Sequence, residues 1–200
     1  MRQITFKEYR MLDLMIFTVF TIVFEAIATY ASVKWFWAQA ISISVTLLLM
    51  CIVMMRWSGW AAIHAVVGGL VYCFAAGATT EQYIVYSVGN LFGLVALLLI
   101  KFIGKEKIRE SKIKLVLFAA TAYVGMAAGR CLVSLFYGEN ISTFILYVTT
   151  DIISLLFAAI VLVLIRKTDG MIEDQKAYLF RVEREEREQS DMPEENETIL

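Results

Sequence analysis

Proline occurs once in the 200 residues, at Pro193, and histidine once, at His64. With so little proline, nothing interrupts the long apolar runs that fill the chain. A single histidine without a carboxylate cluster beside it excludes an intramembrane metalloprotease and predicts no metal site. No Ser–His pair falls at one depth, and Ser58 stands at the edge of its run, so nucleophilic catalysis has no footing. The motif GxxxxGK[ST] is absent, so the chain hydrolyses no nucleotide by that route. Cysteine is sparse: Cys51, Cys73 and Cys131 lie inside apolar runs with no CxxC, which predicts reduced, buried thiols acting as small hydrophobes. Charge is scarce as well, at 18% of residues against 60% hydrophobic, with a mean hydropathy of +0.69. A soluble domain of this length has too little interior to hide that much apolar surface. The composition excludes a soluble enzyme, a disordered chain and a disulfide-rich module, and it offers nothing to nucleic acid. It predicts an integral membrane protein that is not an enzyme and needs no cofactor.

Six apolar stretches are long enough to cross a bilayer, roughly 12–33, 38–55, 59–77, 82–103, 113–136 and 142–165. Lipid cannot satisfy free backbone groups, and the runs are continuous rather than alternating, so each is expected to be helical. The fold class is therefore an all-α bundle of six transmembrane helices. The polar start, Met1 to Arg10, leads into the first run without a small-x-small cleavage site, which predicts a spanning helix and not a removed signal. Residues 1–168 form the transmembrane domain. Residues 169–200 form an acidic, solvated tail of net charge −7, expected to hold a short surface helix over Met171–Arg181 that Glu183–Glu188 can continue, and to be disordered from Gln189 onward. Sixteen Lys and Arg residues fall on one side of this topology and only Lys34 on the other, which puts both termini in the cytoplasm of a cell-membrane protein.

Charges in hydrocarbon are expensive, so each demands a reason. Glu25, Asn90, Arg130 and Asp151 lie about 6–9 residues below the outer ends of their runs, roughly 9–14 Å deep at a helical rise of ~1.5 Å per residue. Helical spacing adds Tyr86 and Ser87 beside Asn90, Tyr123 and Ser134 beside Arg130, and Tyr147 and Ser154 beside Asp151. An aromatic wall with a few converging polar groups is the composition of a small-molecule site. The bland alternative is a buried ion pair, Arg130 with Asp151, that clamps the bundle. Trp35 and Trp37, in the first outer connection, fit either a headgroup belt or a lid. His64 is expected to be a packed core histidine. Ala61, Ala65 and Gly69 give the third run a small face for close helix approach, either inside the bundle or against a partner. Gly125 and Gly129 on the fifth are expected to pack internally.

The six runs, the cytoplasmic termini and the stretch Met55-Arg-Trp-Ser-Gly-Trp-Ala-Ala-Ile-His-Ala-Val-Val-Gly-Gly69 together resemble the substrate-binding S components of energy-coupling factor (ECF) vitamin transporters, over about residues 10–168. The resemblance implies an outward pocket built by the last three helices, with Asn90, Arg130 and Asp151 in it and Trp35 and Trp37 in its lid. It also implies a nutrient ligand, a transmembrane coupling subunit and two ATPase subunits as partners. Many members dock through Ala-x-x-x-Ala on the first helix. Here that helix offers Thr18 and Thr21, with Ala28 and Ser32 nearer the outside, so Ala61, Ala65 and Gly69 become the docking candidates. The second reading is a structural membrane scaffold. A lipid-modifying enzyme has the least support, for want of a nucleophile.

Overall fold

The computed structural model describes residues 5–35 and 41–190. Ten α-helices account for most of them: α1 (Phe6–Trp35), α2 (Thr46–Trp57), α3 (Ala62–Ala76), α4 (Thr80–Leu91), α5 (Leu97–Ile103), α6 (Lys105–Glu110), α7 (Lys112–Leu135), α8 (Thr143–Thr150), α9 (Ile152–Ile165) and α10 (Gln175–Ser190). Tight 3₁₀ turns join α2 to α3 (Ser58–Ala61) and α4 to α5 (Phe92–Ala96). No strand occurs among the described residues. Four helical stretches, Phe6–Trp35, Thr46–Ala76, Thr80–Ile103 and Lys112–Leu135, are long and apolar enough to cross a membrane. The bent pair α8–α9, turned by 45° at Asp151, makes a fifth. Their outer surfaces are apolar, with Ile27, Phe74 and Leu164 at 60%, 80% and 72% exposure, as a lipid solvent allows and water does not.

The stretch Thr46–Ala76 does not run straight. Thr46 at the start of α2 lies against Gly68 in α3, whereas the 22 steps between them along a straight helix would separate them by about 33 Å. The chain folds back at Ser58, which closes α2 by donating its N–H to the Met54 carbonyl at φ 54° and ψ −119°. A side chain is strained there and glycine is not. Ser58→Gly is therefore expected to stabilise the protein by about 1 kcal/mol. The readout is a higher unfolding temperature in detergent.

The centre of the bundle is α2. All twelve of its residues are buried. A helix that is apolar on every side belongs inside, and here α1, α3, α7 and α9 surround it. At about 18 Å it is too short to cross a bilayer core alone, and it starts eight residues later than the sequence pattern suggests. Its antiparallel packing on α1 is set by two polar contacts. At one end Glu25 meets the first N–H groups of α2. At the other, Asp13 meets Arg56. Backbone-to-backbone packing joins α4 to α7: a Cβ on Gly89 would stand 2.6 Å from Arg130 Cα, and one on Gly125 2.6 Å from the Phe92 carbonyl. Gly125 thus packs internally, as expected.

The Asp13 end is more ordered than a solvated tail would make it. Arg56 (7% exposed) binds Asp13 through Nε and Nη2 at 2.9 and 2.6 Å, and Trp57 Nε1 donates to the same carboxylate at 2.5 Å. Arg56 also donates to the carbonyls of Gly170 and Met171. Ile172 and Gln175 are fully buried, and Gln175 accepts from Tyr9 Oη at 3.0 Å. Glu173 lies between Arg109 (3.0 Å) and Arg181 (2.9 Å). The expectation of a solvated terminus is thus corrected for residues 169–175. Buried apolar contact and backbone acceptors for Arg56 hold that stretch against the bundle. The helix beyond it, Gln175–Ser190, starts four residues later than Met171 and continues through Glu183–Glu188 as expected.

Lys105 Nζ lies 2.5 Å from Asp174 Oδ2. Partial burial alone would raise the Asp174 carboxyl, but the Lys105 hydrogen bond and charge outweigh it and hold the group below its ordinary range. A lowered folded-state value means that this contact stabilises above the usual aspartate range and is lost as pH falls through the lowered one. Protease cleavage of residues 169–175 is therefore expected to stay slow at neutral pH and to accelerate in acid. Asp174→Asn should remove that component of the pH dependence.

Candidate functional site

Arg130 on α7 is 4% exposed and organises the polar layer. Its Nε donates to Asn90 Oδ1 at 2.9 Å and its Nη1 to Asp151. Asn90 in turn donates to the Ala65 carbonyl at 3.1 Å, so its amide bridges α3 to α7. The Arg130 guanidinium lies 4.4 Å from the Tyr86 ring centroid. Tyr86 stacks on Tyr72 at 4.7 Å and meets Tyr147 edge-on at 6.0 Å. A guanidinium over an aromatic face, with a carboxylate on its edge, suits a desolvated cation. The helical spacing on α4, α7 and α8 thus brings Tyr86, Asn90, Arg130, Tyr147 and Asp151 into one cluster.

Asp151 occupies the break between α8 and α9. Its second carboxylate oxygen accepts from Ser42 Oγ. Ser42 N also donates to the Thr150 carbonyl at 3.0 Å, and Ser44 N donates to Ser154 Oγ at 2.8 Å. Residues 41–45 therefore enter the layer as a non-helical segment that leads into α2. Ser42, Ser44 and Tyr72 belong to the site and were not singled out by helical periodicity. The run Ile41-Ser-Ile-Ser-Val45 alternates apolar and polar residues with a period of two, and that alternation is the signal for them.

Glu25 does not join the cluster, contrary to the expectation from depth. It is fully buried and accepts from Val45 N (2.7 Å) and Thr46 N (2.8 Å), with Thr29 Oγ1 at 3.4 Å. The start of α2 is inside the bundle, where its free N–H groups have no water to bond. A carboxylate at that end satisfies two of them and matches the helix dipole. Glu25 is a cap supplied by a neighbouring helix.

Ala61 and Ala65 are also fully buried. A Cβ on Gly69 would stand 2.8 Å from Ser87 N and the Tyr86 carbonyl. The small face of α3 is already occupied by α1 and α4 and is not a docking surface. Trp35 ends α1 at 75% exposure, which suits a headgroup belt and a lid alike. Trp37 lies outside the described residues. His64 is fully buried, with Nε2 3.5 Å from Thr18 Oγ1, as a packed histidine. Cys51, Cys73 and Cys131 are free and buried. Among the described residues, no three His, Cys, Asp or Glu side chains gather as a metal site would require.

The space within the cluster is small. Ser44, Leu47, Tyr123, Met126, Arg130, Tyr147, Asp151 and Ser154 enclose about 10 Å³, room for at most one water. Among the described residues the cluster encloses no open cup: Asp151 accepts from both Ser42 and Arg130 and the three side chains fill the space. Compared with family models, curated proteins and solved structures, the chain matches none.

Proposed function

We propose that the chain is the substrate-capture subunit of an ECF-type importer, binding a vitamin or a related small water-soluble nutrient from the outside. A transmembrane coupling subunit and two ATPase subunits would supply the energy. The observation that carries this reading is the convergence of Arg130, Asn90, Asp151 and Tyr86 where the α8–α9 helix is broken. Transporters place polar groups and interrupted helices at one depth because a break frees backbone groups for a solute. Here Ser42 uses the freed Thr150 carbonyl. Ser87 Oγ, one turn from Asn90, is buried with no partner among the described residues, as are Thr46 Oγ1 and His64 Nδ1. An orphaned hydroxyl costs about 1–3 kcal/mol, which a guest donor or acceptor would offset.

On this reading α1, residues 41–45 together with α2, α3, α4–α5, α7 and α8–α9 are six passes with both termini in the cytoplasm, in line with the strong Lys/Arg bias. Residues 41–45 then act as a stand-in occupant, and the Ser42 hydroxyl holds the place of a ligand donor on Asp151. With Glu25 committed to α2, the seat has one base and one acid. It suits a zwitterion or an amine-bearing heterocycle: its acidic group on Arg130, its amine on Asp151, its ring against Tyr86 and Tyr147.

The test is chemical. The full chain, purified in mild detergent from cells grown in rich medium, is denatured and its supernatant analysed by mass spectrometry. A polar metabolite at near-stoichiometric amount, missing from Asp151→Asn, is expected. Protein free of any such compound counts against capture.

One observation favours a second reading, a structural scaffold: Arg130 and Asp151 satisfy each other around a space no larger than a water. In that case the pair is a clamp, and an uncharged cluster of equal volume serves as well.

A further inference from the structure

A second cavity, of about 410 Å³, opens where α6, the start of α7 and the end of α9 meet, lined by Arg109, Glu110, Arg166, Lys167 and Asp169. We propose that it seats the phosphate headgroup of an anionic phospholipid from the leaflet on that side. Two of its bases are already held in position. Arg166 Nη1 donates to the Glu110 carbonyl at 2.5 Å, and Arg109 pairs with Glu173 at 3.0 Å. Its lining alone is nearly balanced in charge. The excess comes from Lys167 and from Lys107, Lys112 and Lys114, which flank the cavity in the chain. All four are exposed, and none makes an ion pair with a described residue. Lys167 lines the cavity and the other three adjoin its lining residues in sequence, and unpaired cations so placed attract a phosphate.

What selects a lipid over a soluble phosphate ester is the apolar surface next to those lysines. Phe102, next to last in α5, is 80% exposed, and Ile113 stands at 81% between Lys112 and Lys114. Leu164 is 72% exposed two residues before Arg166. Large apolar side chains alternating with lysine in this way suit the headgroup boundary, with acyl chains on one side and phosphates on the other. The proposal is independent of whether Arg130 binds a solute.

The full chain is reconstituted in nanodiscs of equal phosphatidylglycerol and phosphatidylcholine, released into detergent, and weighed by native mass spectrometry. Wild-type protein should retain phosphatidylglycerol over phosphatidylcholine by on the order of tenfold, and Lys112→Gln with Lys167→Gln should bring retention close to parity. The unfolding temperature should not change. Should the double variant fail to fold, Lys167→Gln alone is expected to lower the preference severalfold. Equal retention of the two lipids by the wild type overturns the proposal, as does a preference that survives in the variants. Soluble glycerol phosphate displacing the lipid at equal concentration also overturns it, because the site then takes free phosphate esters.

Discussion

Replacing Arg130 with alanine should lower stability by about 3–5 kcal/mol, the usual cost of leaving one member of a buried ion pair alone. Asp151 would stay at 5% exposure with only the Ser42 hydroxyl to hold it, and Asn90 Oδ1 would lose its donor. In detergent this appears as a large drop in unfolding temperature and a poor yield of monodisperse protein. Removing both charges is a different experiment. Arg130→Met with Asp151→Leu strands no ion, and buried pairs replaced by apolar groups of similar volume are often no less stable. The double variant is therefore expected to regain most of the lost stability. If the cluster is a solute seat, that folded variant carries no metabolite. If it is only a clamp, the variant is indistinguishable from the wild type in every assay. An Arg130→Ala protein that melts at the wild-type temperature would show that the pair contributes nothing to the fold.

Asp13→Ala should be of similar size, about 3–5 kcal/mol, because Arg56 is 7% exposed and pairs with no other carboxylate among the described residues. The loss would be shared by Trp57, whose Nε1 donates to the same carboxylate. The effect should also spread. Arg56 donates to the Gly170 and Met171 carbonyls from the position that Asp13 gives it. Limited proteolysis should therefore show residues 169–174 cut faster in Asp13→Ala even at temperatures where the helices remain folded. Asp13→Asn keeps an acceptor without the charge and should fall between the two. Unchanged cleavage in Asp13→Ala would mean that the tail is held by Ile172 and Gln175 alone.

Much of the architecture was legible because lipid narrows the options. Long apolar runs became helices, and the third, fourth and fifth begin and end close to where hydropathy puts them. The cluster of Tyr86, Asn90, Arg130, Tyr147 and Asp151 was legible too, since cost in hydrocarbon and helical spacing select the same residues. The second run was not. Hydropathy continues across Ile41–Val45, so a window tuned to 3.6 residues per turn takes those residues for helix, while their own alternation has a period of two. That also hid why Glu25 is where it is. Depth alone groups it with Arg130, but its partner is the N–H end of a helix whose start the pattern misplaced. Ala61, Ala65 and Gly69 show the opposite limit: a small face marks close approach without saying which neighbour approaches. The packing of residues 169–175 depends on Arg56 and Lys105, far away in sequence, and no local composition reports it.

Because α2 has no face of its own toward lipid, its surroundings are completed late in synthesis. The hairpin it forms with α3 emerges when only α1 is available to line it, and the wall supplied by α9 follows about a hundred residues later. Glu25 and the N–H groups it receives are then among the first tertiary bonds the nascent protein can make; Ser44 with Ser154 waits for α9, and the contacts of Gly170 to Gln175 come later still. A chain halted before α9 would present the flank of α2 to whatever assists its insertion, so quality control in this protein has a natural checkpoint at the arrival of its final hydrophobic segment.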